Sequence, residues 1–305
     1  MAVMRPDKNG SEDINPELRR VARFVPRQIV RPWSLPLLKR MPVMLRTATS
    51  DGVEVLTLPS GAGVRLYRPA GATSATPALL WIHGGGYLIG SPEQDDMLCR
   101  RYVERLGIVV AAARYRLAPE NPYPIPLEDC YSVLTWLAGL PGVDPDRIAI
   151  GGASAGGGLT AALAFLARDR GDVTPVLQVL SYPMLDDRTT DPALDAPGFR
   201  LWNAASNRIG WTSYLGGADP AMAVPARRTD LAGLPPAWLG VGTLDLFHDE
   251  DLAYAARLNA AGVPCEVHEV PGAFHGFDGI APKAPISQAY FDSTCAGLSR
   301  ALGKG

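Results

Sequence analysis

The stretch Ile148-Ala149-Ile150-Gly151-Gly152-Ala153-Ser154-Ala155-Gly156-Gly157-Gly158 passes from an apolar run into the smallest residues, with one hydroxyl at the centre. A strand that turns abruptly into a helix crowds its own turn, so the neighbours must be small, and the serine hydroxyl then stands clear of the backbone. Ser154 is therefore the candidate nucleophile. Glycine-rich turns before helices also bind phosphate. Here both the lysine of a P-loop and the GxGxxG spacing with a later acidic residue are missing, which argues against that use.

Working outward, a second apolar run, Leu79-Leu80-Trp81-Ile82, leads into His83-Gly84-Gly85-Gly86, about seventy residues before the serine. Glycines let a backbone approach a substrate closely. The N–H groups of Gly84 and Gly85, with that of Ala155 after the nucleophile, are the candidate oxyanion donors, and Gly86 serves the loop's geometry. Short apolar strands alternate with amphipathic helices around both motifs. Strands are expected at 79–82, 108–113, 147–150, 176–181, 237–241 and 265–270. Helices are expected at 96–106, 127–137, 157–168, 249–261 and near 287–302. Before them, 53–58 and 64–68 read as an antiparallel pair joined by Ser60-Gly61-Ala62-Gly63. The pattern predicts an α/β fold, a mostly parallel central sheet with helices on both faces. Ligands on such sheets bind beyond the carboxyl ends of the strands, where both glycine motifs fall.

A serine hydroxyl is a weak nucleophile that needs a base, and the base needs an orienting partner. The chain has four histidines. His83 belongs to the glycine loop, His248 opens a helix and His268 lies within a strand, whereas His275 lies in a loop after the last strand. His275 is thus the candidate base. The acid should follow the preceding strand, and Gly242-Thr243-Leu244-Asp245 offers Asp245. Asp249, Glu250 and Asp251 compete, although acidic residues opening a helix also complement its dipole. The chain order Ser154, Asp245, His275 is the one expected of an α/β-hydrolase. A metal at Asp245, His248 and Asp249 lacks further ligands, and neither metal nor cofactor is expected.

The 305 residues are 47% apolar and 20% charged with a net charge of −2, which excludes a disordered chain and gives no global field for nucleic acid. A chain this long buries roughly three quarters of its unfolded surface, enough for one large domain with a lid. Residues 1–50 carry ten Arg/Lys against four Asp/Glu, interleaved with Pro6, Pro16, Pro26, Pro32, Pro36 and Pro42. That spread fits a solvated lid face better than a polyanion site. Ile14, Leu18, Val21 and Val25 recur at helical spacing, so short lid helices are expected there. The alternation lapses again over 186–225, which contains Phe199, Trp202, Trp211 and Tyr214 and reads as the second half of the lid. The catalytic domain is then 51–185 with 226–305. Cys99, Cys130, Cys265 and Cys295 lie far apart and read as reduced thiols of a cytoplasmic protein. The first residues lack the apolar core of a signal peptide, and no apolar run is long enough to span a bilayer.

Five segments together carry a family resemblance. Besides the serine elbow they are His83-Gly-Gly-Gly-Tyr-Leu-Ile-Gly90, Tyr115-Arg-Leu-Ala-Pro-Glu-Asn-Pro-Tyr-Pro124, Thr243-Leu-Asp-Leu-Phe-His-Asp-Glu250 and His275-Gly-Phe277. With Asp144-Pro-Asp-Arg-Ile-Ala-Ile-Gly-Gly152 leading into the elbow, the chain resembles the hormone-sensitive-lipase-like carboxylesterases, bacterial family IV of the α/β-hydrolases, over nearly all of residues 50–300. The resemblance implies ester hydrolysis through an acyl-enzyme without a cofactor, and a helical cap built from the N-terminus and an insertion. It implies that His83 braces the oxyanion loop, that the substrate is a small ester of short to medium acyl chain, and that the chain forms homodimers through the edge strand near 265–270. Ala153 departs from the family's usual Asp or Thr, and some relatives use a nearby Glu as the acid. Related acyl hydrolases acting on lactones, amides or aryl esters, and homologues that only bind ligands, are the alternatives.

Overall fold

A computed structural model describes residues 13–39, 52–71 and 75–303. Its centre is an eight-stranded sheet in the order β1-β2-β4-β3-β5-β6-β7-β8. Strands β1 (Val53–Thr57) and β2 (Gly63–Tyr67) form the expected antiparallel hairpin, and β2 runs antiparallel to β4 (Val109–Arg114). From β4 onward, through β3 (Thr76–Ile82), β5 (Val143–Ala153), β6 (Leu177–Ser181), β7 (Ala237–Leu244) and β8 (Cys265–Phe274), every pairing is parallel.

The reason for this architecture is legible in the side chains. All seven residues of β3 and all five of β6 are buried, as continuous apolar strands must be when helices cover both faces of a sheet. The helices α3 (Asp96–Leu106), α4 (Ile125–Ala138), α5 (Ala155–Arg170), α8 (His248–Ala260) and α10 (Pro285–Ala301) supply that cover, with the single turn α9 (Phe277–Ile280) ahead of α10. Strand β3 begins three residues before its expected start because Thr76 N–H bonds to Gly142 O ahead of the apolar run.

The two segments without strand-helix alternation differ from each other. In residues 13–39, α1 (Arg19–Ala22) and α2 (Leu35–Leu38) are single turns. These are the short pieces expected: Pro16 interrupts and Pro26 ends the stretch in which Ile14, Leu18, Val21 and Val25 recur, and only one turn of α-helix forms between the two prolines. Ile14 and Leu18 are nevertheless buried. The remainder of 1–50 lies outside the described residues. The insertion between β6 and β7 holds α6 (Ala204–Leu215), whose start is capped by the Asn203 side chain accepting from Ser206 N–H at 3.0 Å, and the short turn α7 (Pro220–Ala223). The two segments bond to each other. Leu201 N–H donates to Pro26 O (2.7 Å), Ile29 N–H to Leu201 O (3.3 Å) and Arg200 Nε to Ala22 O (3.0 Å). Together they lie against the carboxyl ends of β3 and β5, where Gly86 meets Trp202.

Candidate active site

Ser154 links β5 to α5 with φ 57° and ψ −123°, a backbone conformation that costs a residue with a side chain about 1–3 kcal/mol. The surroundings hold it there. Ser154 N–H donates to Ser181 O (2.9 Å), and its carbonyl accepts from Gly158 N–H (2.9 Å) and Met184 N–H (3.0 Å). The small neighbours are a steric necessity, since a Cβ on Gly156 would lie 2.1 Å from Ile82 O, and one on Gly84 3.0 Å from Ala153 O.

Strands β7 and β8 deliver the other two side chains at their carboxyl ends. Ser154 Oγ–H donates to His275 Nε2 at 2.9 Å, and His275 Nδ1–H donates to Asp245 Oδ2 at 2.7 Å. The second oxygen of Asp245 accepts from Phe247 N–H at 3.0 Å. All three residues are buried. The His275 ring is met edge-on by Tyr182 and Phe247, with centroids 5.0 and 5.2 Å away, so the imidazole has little freedom to rotate.

The competing carboxylates go elsewhere. Asp249 is exposed and accepts from His248, whose other nitrogen meets Glu269, each at 2.9 Å. Glu250 accepts from Leu185 N–H (2.7 Å), Asp186 N–H (3.1 Å) and the Thr189 hydroxyl, fastening the start of the insertion, while burial pushes its pKa up to about 8. Asp251 is buried with both oxygens unpartnered among the described residues, and burial raises its pKa well above the carboxylate range. None of the three bonds to His275.

On the opposite side of Ser154 stands the glycine loop. Gly85 has φ +128°, and its carbonyl accepts from Leu88 and Ile89 N–H at 3.1 Å each, closing a tight turn that only glycine fits. Among the described residues, no acceptor takes the N–H of Gly84, Gly85 or Ala155. Ala155 also opens α5, where the helix dipole favours negative charge. His83 is buried behind the loop. Its Nδ1–H donates to Gly84 O (2.8 Å), Tyr115 stacks on the ring at 4.3 Å, and the Tyr115 hydroxyl donates to His83 O (2.9 Å). Burial, against the Gly84 bond, pushes the His83 pKa down to about 4, so the ring is neutral at pH 7.

A cavity of about 370 Å³ lies over Ser154 and His275. Its walls include the glycine loop, Ile29 and Val30 from the N-terminal segment, and Leu201 and Trp202 from the insertion. Sequence reading alone missed Tyr182, which touches His275, and Tyr115, which touches His83. Tyr115 heads one of the family-like segments, so a signal was present, whereas Tyr182 sits in no recognisable pattern.

Known proteins share both sequence and fold. Residues 79–279 match the α/β-hydrolase fold family. The carboxylesterase NlhH of Mycobacterium tuberculosis is 34% identical over 297 residues, 92% of this chain and 89% of its own. The esterase LipI of the same organism is 37% identical over 243 residues, 74% of this chain and 73% of its own. A solved bacterial heroin esterase superposes with a TM-score of 0.85 at 36% identity, covering 95% of this chain and 98% of its own. The chain belongs to the α/β-hydrolase fold family, within its hormone-sensitive-lipase-like branch.

Proposed function

We propose that this chain is a serine carboxylesterase with Ser154, His275 and Asp245 as its catalytic triad. The observation that carries the reading is the unbroken hydrogen-bond chain from Ser154 to Asp245, with distances of 2.9 and 2.7 Å, at the base of a mostly apolar cavity. Ser154 Oγ attacks the ester carbonyl as His275 Nε2 takes its proton. Asp245 fixes the imidazole tautomer and stabilises the imidazolium. The oxyanion forms between the N–H groups of Gly84, Gly85 and Ala155, each contributing about 3 kcal/mol to the transition state. His275 returns the proton to the leaving alcohol, and water repeats the sequence on the acyl-enzyme. His83 does not react, and its neutral ring holds the carbonyl of Gly84 and with it the loop.

In this reading residues 1–50 and 186–225 form a cap, supported by Ile29, Val30, Leu201 and Trp202 lining the cavity. The cap limits the acyl chain to roughly two to eight carbons. The free thiols of Cys99, Cys130, Cys265 and Cys295 support a cytoplasmic location. Homodimers would pair through β8, an edge of the sheet. The deciding experiment is a 4-nitrophenyl ester series with fluorophosphonate labelling alongside. Turnover should peak within that chain-length range, and the probe should attach to Ser154. Absence of labelling would mark the chain as a ligand binder, and a maximum at about C14 or longer would remove the short-chain assignment.

A further inference from the structure

A second chamber, of about 210 Å³, adjoins the cavity over the nucleophile. Gln94, Asp95, Ala153, Tyr182 and Gly279 line both, so the two spaces share a wall, and the residue beside Ser154 in that wall is only an alanine. Two carboxylates face the second chamber. Asp95 accepts from Trp81 Nε1 at 2.8 Å, and Asp278 accepts from the Tyr182 hydroxyl at 2.7 Å. Both donors are neutral. Among the described residues, no lysine or arginine forms an ion pair with either carboxylate.

The contrast with adjacent acids is sharp. Glu93 and Asp96, in the same turn, are paired with Arg114 and Arg65. Arg101 also lines the chamber, but it bonds Gln288 at 2.9 Å and lies 3.7 Å over the Phe291 ring. Asp95 and Asp278 also repel one another. Burial, against the bond from Trp81 and helped by repulsion from Asp278 and Asp96, pushes Asp95 up to about 7, and burial raises Asp278 as well. An independent vacancy lies in the same lining. Ser287 is buried, and its Oγ has no hydrogen-bond partner among the described residues. Among the described residues, Arg101 forms no ion pair with either acid, and the one positive influence on Asp278 is the nearby imidazole of His275. Recessed carboxylates without an ion-pair partner, beside an unpaired hydroxyl, are the complement of a positively charged, polar guest.

We infer that the second chamber receives an organic cation, an alkylammonium group carried by the ester substrate, with Asp95 and Asp278 as its counter-charges. This inference rests on the esterase reading. Either half of the ester can bring the charge, so the test uses two pairs of equal shape. 2-(Dimethylamino)ethyl acetate, protonated at pH 7, against 3-methylbutyl acetate probes the alcohol side with a cation that can also donate a hydrogen bond. The 4-nitrophenyl esters of 5-(trimethylammonio)pentanoate and 6,6-dimethylheptanoate probe the acyl side.

For one pair, kcat/KM should favour the cation by about tenfold or more. Asp95→Asn and Asp278→Asn should each lower that ratio, with the neutral ester as internal standard. Met97 is exposed at the chamber's rim, so Met97→Lys tests the same charge preference without disturbing the core, and the ratio should fall there too. Neutral esters turned over with no cation preference in either pair would overturn this inference and leave the esterase reading standing. A preference unchanged in all three variants would overturn it as well. If no ester in either pair is hydrolysed, the esterase reading fails first and takes the inference with it.

Discussion

Beneath the Ser154 hydroxyl the molecule leaves almost no room, whereas above it apolar side chains line an open cavity. A Cβ on Gly152 would sit 2.5 Å from Gly156 O, and one on Gly156 2.1 Å from Ile82 O, so strand, elbow and helix touch backbone to backbone. Across the cavity, Ile29, Val30, Leu201 and Trp202 form an apolar roof, and its two segments are joined by bonds such as Leu201 N–H to Pro26 O at 2.7 Å. The difference teaches that geometry and selectivity are held by separate parts. Chemistry that tolerates little displacement sits on close-packed backbone. In the proposed reading, choice of ester would sit where a side chain can change without disturbing the sheet.

Substitutions should therefore separate the two regions. The largest effect belongs to the floor: Ser154→Ala should lower kcat by about a million-fold with KM little changed, measured on 4-nitrophenyl acetate. Turnover near the parent level would break the comparison at its base. Next, Asp245→Asn should reduce kcat by about ten-thousand-fold, since the amide favours the wrong imidazole tautomer. Replacing Asp251 with Asn should not approach that loss, because Asp251 makes no bond to His275.

Gly156→Ala tests packing rather than chemistry. The clash is with backbone that cannot step aside, so urea unfolding should show a loss of about 3 kcal/mol. Gly279→Ala, with nothing within 4 Å of the added carbon, should change stability by less than about 0.5 kcal/mol.

His83 gives the floor a pH signature. Its pKa falls from 6.5 to about 4 on folding, so between those values the unfolded chain binds a proton that the folded chain does not. Stability contributed here is present above 6.5 and is lost as pH falls towards 4. At pH 5 the loss is about 2 kcal/mol. Urea midpoints at pH 7 and pH 5 should show the wild type losing that much more than His83→Asn.

The roof should respond in a different quantity. Trp202→Ala should raise KM for octanoate esters by about tenfold while kcat on acetate stays near the parent value, as expected when binding is lost but the reacting groups are intact. Equal loss of kcat on every chain length would show that the roof also positions the chemistry, through the contact of Trp202 with Gly86.

Much of the floor could be read before any coordinates. The parallel strands follow from short apolar runs such as Leu79–Ile82 and Ile148–Ile150, because a strand covered on both faces must be apolar throughout. The positions of Ser154 and His275 follow because each lies in a local motif at the carboxyl end of a strand. The acid was narrower ground. Asp245, Asp249, Glu250 and Asp251 fall within one short segment and all satisfy the chain order, so only the place of Asp245 directly after a strand, ahead of the acids that open a helix, favours it. In the fold, Asp249 turns to His248 and Glu250 to the insertion, leaving Asp245 on the imidazole. The two segments over the cavity were legible as interruptions of pattern but not as structure: prolines signal broken helices, and only the folded chain shows that Arg19–Ala22 and Leu35–Leu38 are single turns.

The second chamber was invisible in the sequence. Its walls come from positions 95, 153, 182, 278 and 287, on five different segments with no common period. What the sequence determined by itself was whatever depends on neighbours along the chain: alternation, the crowded elbow, the glycine loop and the order of serine, acid and histidine. The tertiary structure alone decided which acid meets His275, which carboxylates lack a partner, and what lies beyond Ala153. Those outcomes depend on distances between residues remote in the chain, and only folding the sheet brings them within reach of one another.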